Sequence, residues 1–169
     1  MDLNPIQAGG RRDQLLHSLE IENKATMSVL EHIPEDKLGY RPDDRLKTAG
    51  ELAWHIYTVG IWFAVIIETG RAELSGEGME MPEAPSKKAE LIAACQGMYQ
   101  DMAKRMAAVT PEQLAAQIPF GDFGTYPGIT YLDWHQRHLI HHRGQLTVYL
   151  RLMGAKVPGI YGDSLDYPM

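Results

Sequence analysis

The sequence predicts an all-α fold, a four-helix bundle forming one domain over residues 1–169. Apolar residues recur at helical spacing nearly throughout the chain. Clusters of proline and glycine separate four long periodic stretches. A length of 169 residues, of which 44% are hydrophobic, is enough for one sizeable core. No internal repeat, low-complexity segment or second-domain linker interrupts the pattern.

The first helix is expected from Arg11 or Arg12 to His32, with Leu15, Leu16, Leu19, Ile21, Ala25, Val29 and Leu30 as its apolar stripe. Pro34 stops it, and the turn-rich segment 34–44 follows as a loop. The second helix opens at Thr48-Ala-Gly-Glu51, a capping box in which the Thr48 hydroxyl and the Glu51 carboxylate satisfy each other's backbone amides. Leu52, Ile56, Val59, Phe63, Ile66 and Ile67 carry its period, and Gly70 ends it. Residues 71–85, with Gly76, Gly78, Pro82 and Pro85, read as a long connection between helices 2 and 3.

Ser86 is expected to cap the third helix, from Lys87 to about Val109. Thr110-Pro111 then signals a short helix, since proline suits the first helical position. Residues 119–129 mix prolines and glycines with Phe120, Phe123 and Tyr126, a connection packed by its own aromatics. The fourth long helix is expected from about Thr130 to Met153, ending at Gly154, with the tail 155–169 beyond it.

Charge and composition narrow the function. A net charge of −6 and a pI near 5.6, without a basic stripe, argue against nucleic acid as a partner. Cys95 is the only cysteine, so no disulfide forms within the chain, which fits a reducing cytoplasm. The first ten residues lack a charged segment followed by an apolar run, and so do not read as a signal peptide. The apolar run from Ile61 to Ile67 is too short to span a bilayer, so no membrane association is expected.

The chemistry concentrates in His135-Gln-Arg-His138-Leu-Ile-His141-His142-Arg-Gly-Gln145. With His138 at zero on a wheel of about 100° per residue, His142 lies near +40°, His135 near +60° and His141 near −60°. The apolar arc of Tyr131, Trp134, Leu139, Leu146, Tyr149, Leu150 and Met153 is centred near +40° on the same wheel. His135, His138 and His142 therefore face inward. Asp133, Gln136, Arg143, Thr147 and Arg151 read as the solvated face. On the second helix, His55 lies in the stripe of Leu52, Val59, Trp62, Phe63 and Ile66. Two helices thus aim imidazole into one core, the place where bundles build metal sites. Spacing alone leaves the ligand pair on the last helix open, because His135 with His138 is also one turn apart.

The remaining candidates have ordinary accounts. His17 and His32 read as helix-surface or helix-end residues, and His141 as an edge residue. Glu51 lies one turn before His55 and could orient a ligand or act as a base, although the capping box already uses it. Cys95 reads as a buried, inert thiol. Met98, Met102 and Met106 follow core spacing, and Trp54 and Trp62 read as packing residues, with Trp62 a possible pocket wall. The glycines form no phosphate-binding pattern.

Three segments, Tyr40-Arg-Pro42, Thr48-Ala-Gly-Glu-Leu-Ala-Trp-His55 and His138-x-x-x-His142-Arg-Gly-Gln145, resemble the DinB-like (DinB/YfiT) superfamily. Val157-Pro-Gly-Ile-Tyr161-Gly also resembles its C-terminal end, so the likeness runs from about residue 11 to 163. The resemblance implies a four-helix bundle, with a divalent metal ion held by His55, His138 and His142. It implies a homodimer and a bacterial setting, and no DNA binding. Characterised relatives include thiol-dependent S-transferases and thiol-dependent isomerases.

Three imidazoles leave a coordination position open, as catalytic rather than structural zinc sites do. Zinc or nickel suits them best, and copper or iron would also fit. The first functional expectation is therefore a thiol S-transferase-like enzyme acting on a small-molecule electrophile, with a low-molecular-weight thiol as cosubstrate. Trp62, Trp134 and Tyr149 are expected around the pocket. The alternatives are a metal-dependent hydrolase with activated water, for which Glu51 is the only candidate base, and a non-catalytic metal- or ligand-binding protein.

Overall fold

The computed structural model describes residues 3–72 and 82–168. Four long helices pack together, as expected. Helix α1 spans Pro5–Glu31, α2 Ala49–Thr69, α3 Lys88–Ala108 and α5 Gly128–Leu152, with the short α4 at Pro111–Ala115. Helix α2 packs against α3 and α5, and α1 packs against α3, α4 and α5. Leu19, Leu30, Ile33, Ile56, Ile66, Ile67, Leu91, Met102, Met106, Leu139, Leu146 and Leu150 fill the space between them.

Helix α1 starts before the expected Arg11. Asn4 and Gln7 form a capping box of their own, with Pro5 in the first turn. The apolar stripe misses this turn because Ala8 and Gly9, its buried residues, are small; Gly9 faces Pro111 of α4. Ile21, assigned to the stripe, is 51% exposed. Helix α1 ends at His32, whose Nδ1 pairs with the Ser28 carbonyl at 2.7 Å. The segment after Pro34 includes a single 3-10 turn, Glu35–Lys37.

Helix α2 has the capping box read from the sequence: the Glu51 amide donates to Thr48 Oγ1 at 3.2 Å and the Thr48 amide to Glu51 Oε2 at 2.7 Å. Gly70 closes it in the left-handed region at φ +68°. Residues 73–81 of the next connection, including Gly76 and Gly78, lie outside the described residues. With 21 residues and a mean hydropathy of 1.4, α2 is by length and composition able to cross a membrane, which the shorter apolar run did not suggest. Some 61% of that window is buried in the bundle, so its hydrophobicity belongs to an inner helix.

Ser86 does not cap α3. Lys87 is the N-cap and has no side-chain cap bond. Glu35 of the 3-10 turn supplies the acceptor, receiving the Lys88 amide at 3.2 Å. Helix α4 does start as expected, with Thr110 and Gln113 in a capping box.

The expected connection at 119–129 contains two short antiparallel strands, β1 Gln117–Pro119 and β2 Thr125–Pro127, with Ile118 opposite Tyr126. Three-residue strands are too short to show alternation in a sequence. The tip turns through Gly121 (φ +51°) and Gly124 (φ +117°), conformations that glycine permits. Helix α5 begins two residues before Thr130, at Gly128. A Cβ there would stand 2.6 Å from the Gln113 carbonyl oxygen, so glycine lets the hairpin and α5 meet α4.

Arg143, assigned to the solvated face of α5, is buried and 3% exposed. Helix α5 packs on α1 as well as α2, which leaves it less solvent-facing surface than a helix with one buried stripe. Arg143 Nη1 donates to Glu22 Oε2 of α1 at 2.5 Å, and Nη2 donates to the Tyr161 hydroxyl of the tail at 2.5 Å. The tail is held further by Asp166, which accepts from Arg151 at 2.7 Å and from the Val157 amide at 2.9 Å.

Candidate metal centre

His55 lies on the second turn of α2, on a helix whose start is set by the Thr48 cap. His138 and His142 lie one turn apart on α5. The fold brings these three together. Ring centroids are 4.8 Å apart for His55 and His138, 4.9 Å for His55 and His142, and 4.3 Å for His138 and His142. Nε2 of His138 lies 3.1 Å from Nε2 of His55. One nitrogen from each ring can be chosen so that all three lie within 4.8 Å of one another. All three side chains are half-buried.

The surroundings favour neutral imidazole, the form that binds metal. Burial, followed by repulsion from His142 and Lys47, lowers His55 to about 4. Burial and the other histidines, His142 first, lower His138 to about 3. His142 is also lowered by burial, partly offset by Gln145. Gln145 Oε1 accepts from His142 Nδ1 at 2.7 Å, which fixes the proton on Nδ1 and leaves Nε2 bare. The sequence shows Gln145 one turn from His142, but it does not show this contact. Tetrahedral zinc with bonds of about 2.0–2.1 Å places neighbouring ligand atoms roughly 3.3 Å apart. The 3.1 Å separation of His55 and His138 matches that closely. Donor type and the spacing of this pair fit a divalent ion, and the three nitrogens together lie within 4.8 Å of one another.

His135 faces inward as predicted but does not join the three. Its ring packs against Gly60 of α2, where an added Cβ would lie 2.5 Å from Cε1. It is 2% exposed, its Nδ1 has no hydrogen-bond partner, and burial lowers it to about 4. His141 is exposed, with its ring 4.8 Å from that of His142.

Glu51 stays in its capping box, 3.9 Å from Arg41, and the Thr48 amide holds its carboxyl below the usual range. Among the described residues, no carboxylate joins the histidine group. Tyr149 bonds the Lys47 carbonyl at 3.2 Å and meets the edge of Tyr40, and it is not among the residues lining the recess at His138. Burial raises the Cys95 thiol to about 12, which makes it unreactive.

Trp134 does line a cavity. An open recess of about 420 Å³ is lined by Phe63, Phe120, Phe123, Tyr126, Trp134 and His138. Trp62 stands behind it, its ring 6.2 Å from Phe120. The sequence showed the aromatics of 119–129 without showing that they share a recess with His138.

Proteins of known sequence and structure share this arrangement of helices. The chain is 30% identical over 163 residues to YrdA of Bacillus subtilis (strain 168), covering 91% of this chain and 90% of that one. It is 28% identical over 144 residues to YjoA of the same organism, covering 84% and 90%. A crystal structure of the DinB-like protein YjoA superposes with a TM-score of 0.69 at 27% identity, over 85% of this chain and 93% of that chain. A DinB-like protein from Bacillus cereus ATCC 10987 shares the fold, with a TM-score of 0.73 at 24% identity, over 88% and 97%. Residues 6–168 match the DinB family, a span that includes the capped α2, all three histidines and the tail, and the chain belongs to that family.

Proposed function

We propose that the protein binds one divalent metal ion, zinc or nickel, through His55, His138 and His142, and transfers a low-molecular-weight thiol to a small electrophile. The convergence of three neutral imidazoles on one point, from α2 and α5, carries this reading. A divalent ion held by neutral ligands supplies positive charge that keeps a bound thiol in its thiolate form near neutral pH. In such a transfer the thiol would give its proton to solvent, its sulfur would form the new bond to the electrophilic carbon, and the bond from that carbon to the leaving group would break, the leaving group taking the electron pair.

The residues of this chain supply position and environment. Gln145 keeps the Nδ1 proton on His142 and so keeps Nε2 a donor. Burial holds His55 and His138 neutral, and neutral ligands leave the net charge with the ion. Lys47 bears on His55 and His142 from the exposed side, where it favours an anionic thiol over a cationic one. A hydrolase would call for a carboxylate base, and Glu51 is committed to the α2 cap.

Elemental analysis of the purified protein, before and after chelation and reloading with zinc or nickel, tests the first half. One ion per chain is expected. His138→Ala and His142→Ala should abolish tight binding, while His135→Ala should keep most of it; equal loss from His135→Ala would overturn the ligand set. Consumption of small thiols in the presence of a panel of electrophiles tests the second half. Metal uptake without thiol consumption would leave a binding protein and remove the transferase reading.

A further inference from the structure

The cavity beside His138 has a lining suited to one chemical class. We propose that it seats a flat, uncharged aromatic ring, the electrophilic substrate of the metal site; this rests on reading His55, His138 and His142 as metal ligands. Five of its six lining side chains are aromatic and the sixth is His138. Four of the rings form a continuous run along the lining. Phe123 lies 5.4 Å from Phe120, Phe120 lies 5.6 Å from Trp134, and Trp134 meets Tyr126 edge-on at 4.8 Å. Phe63, also in the lining, stands 6.5 Å from His138. Tilted and edge-on rings at these spacings leave faces and edges for a further ring.

The hairpin keeps this space open. Gly121 and Gly124 turn its tip, and the Tyr126 hydroxyl donates to the Phe123 carbonyl at 2.6 Å. That bond holds the Phe123 ring at the rim, 69% exposed, rather than in the cavity. A hairpin serving only as a packing element would bury that ring; here it borders an open apolar space of about 420 Å³. Small-molecule sites commonly span roughly 300–1,000 Å³. The lining has no carboxylate, ammonium or guanidinium group, so the part of a ligand seated among these rings gains nothing from carrying a charge there. An uncharged ring is the class that gains.

Calorimetric titration with 2-naphthol and with its saturated counterpart, decahydro-2-naphthol, tests this in the metal-free and zinc-loaded protein. The two share a carbon skeleton and a hydroxyl and differ in aromaticity. The naphthol should bind about tenfold more tightly, the upper range of ring–ring contributions. Phe120→Leu, which keeps the packing and removes the ring, should lose most of that preference. Proton NMR should show the His138 Cε1 proton shifted by the naphthol ring current.

His142→Ala separates the two readings, because it removes a metal ligand and leaves the cavity lining intact. Naphthol binding within about twofold of wild type is expected there, since no lining contact is lost. Zinc refused by the wild-type protein while naphthol still binds selectively would remove the metal reading and uphold the aromatic recess. Equal affinity for the two alcohols, full preference in Phe120→Leu, or an unmoved His138 proton would overturn the recess.

Discussion

His135 sits one helical turn before His138 and shares its apolar surroundings, yet its ring lies against Gly60 with Nδ1 unpartnered. Burial lowers its pKa from 6.5 to about 4. The unfolded chain takes up a proton below about pH 6.5, while the folded chain does not until about pH 4. The stability contributed by neutral His135 is therefore complete above pH 6.5 and is lost as pH falls toward 4. At about 1.4 kcal/mol per pKa unit, that loss is on the order of 3 kcal/mol. In metal-free protein, His135→Leu should flatten the fall in urea midpoint between pH 7 and pH 4.5 relative to wild type. Parallel profiles would show that His135 does not titrate differently on folding. Helical spacing placed His135, His138 and His142 on the inner face but could not rank them. A wheel gives the direction of a side chain and neither its depth nor its neighbour, and here the neighbour is a glycine on another helix.

Helix signals were legible where one local motif sufficed. Thr48 with Glu51 and Thr110 with Gln113 both form the boxes their sequences suggest. Asn4 with Gln7 follows the same chemistry but precedes a turn with little apolar periodicity, and Ser86 is bypassed because Glu35 reaches α3 from a distant turn. Contacts made across the chain leave no local trace. Thr48→Ala should cost about 1 kcal/mol in urea unfolding. It should also weaken metal binding, because the cap sets the start of the helix that carries His55; unchanged affinity would confine its role to stability. Gly60 marks the closest approach of α2 to His135. Gly60→Ala places a methyl group against that imidazole and should destabilise by about 1–3 kcal/mol, as overpacking does. Adding His135→Ala should recover much of the loss in thermal unfolding, and simple additivity of the two would mean they do not touch.

Across the molecule, the buried Arg143 ties α5 to α1 through Glu22 and to the tail through Tyr161. The sequence put Arg143 on the solvated face because an amphipathic pattern assumes one buried stripe, whereas α5 meets two other long helices. Arg143→Ala leaves the buried Glu22 carboxylate with the Tyr161 hydroxyl but without its counter-charge, and should cost about 3–5 kcal/mol in urea unfolding. A loss below about 1 kcal/mol would show that solvent reaches the pair. The proposed ion should add stability by mass action, about 4 kcal/mol when free metal is a thousandfold above Kd. Chelation should lower the Tm of wild type and leave that of His142→Ala unchanged; equal shifts in both would place the ion elsewhere.

Position along the chain also bears on when the histidine site can form during synthesis. His55 and His138 are 83 residues apart. At roughly 5–20 residues per second, the ribosome adds His138 about 4–17 s after His55. For that interval the nascent α2 carries its imidazole without either companion. The Tyr161 hydroxyl that braces Arg143 comes 18 residues after that arginine. The three histidines can therefore meet only after the first three long helices have been made, so during synthesis they come together late.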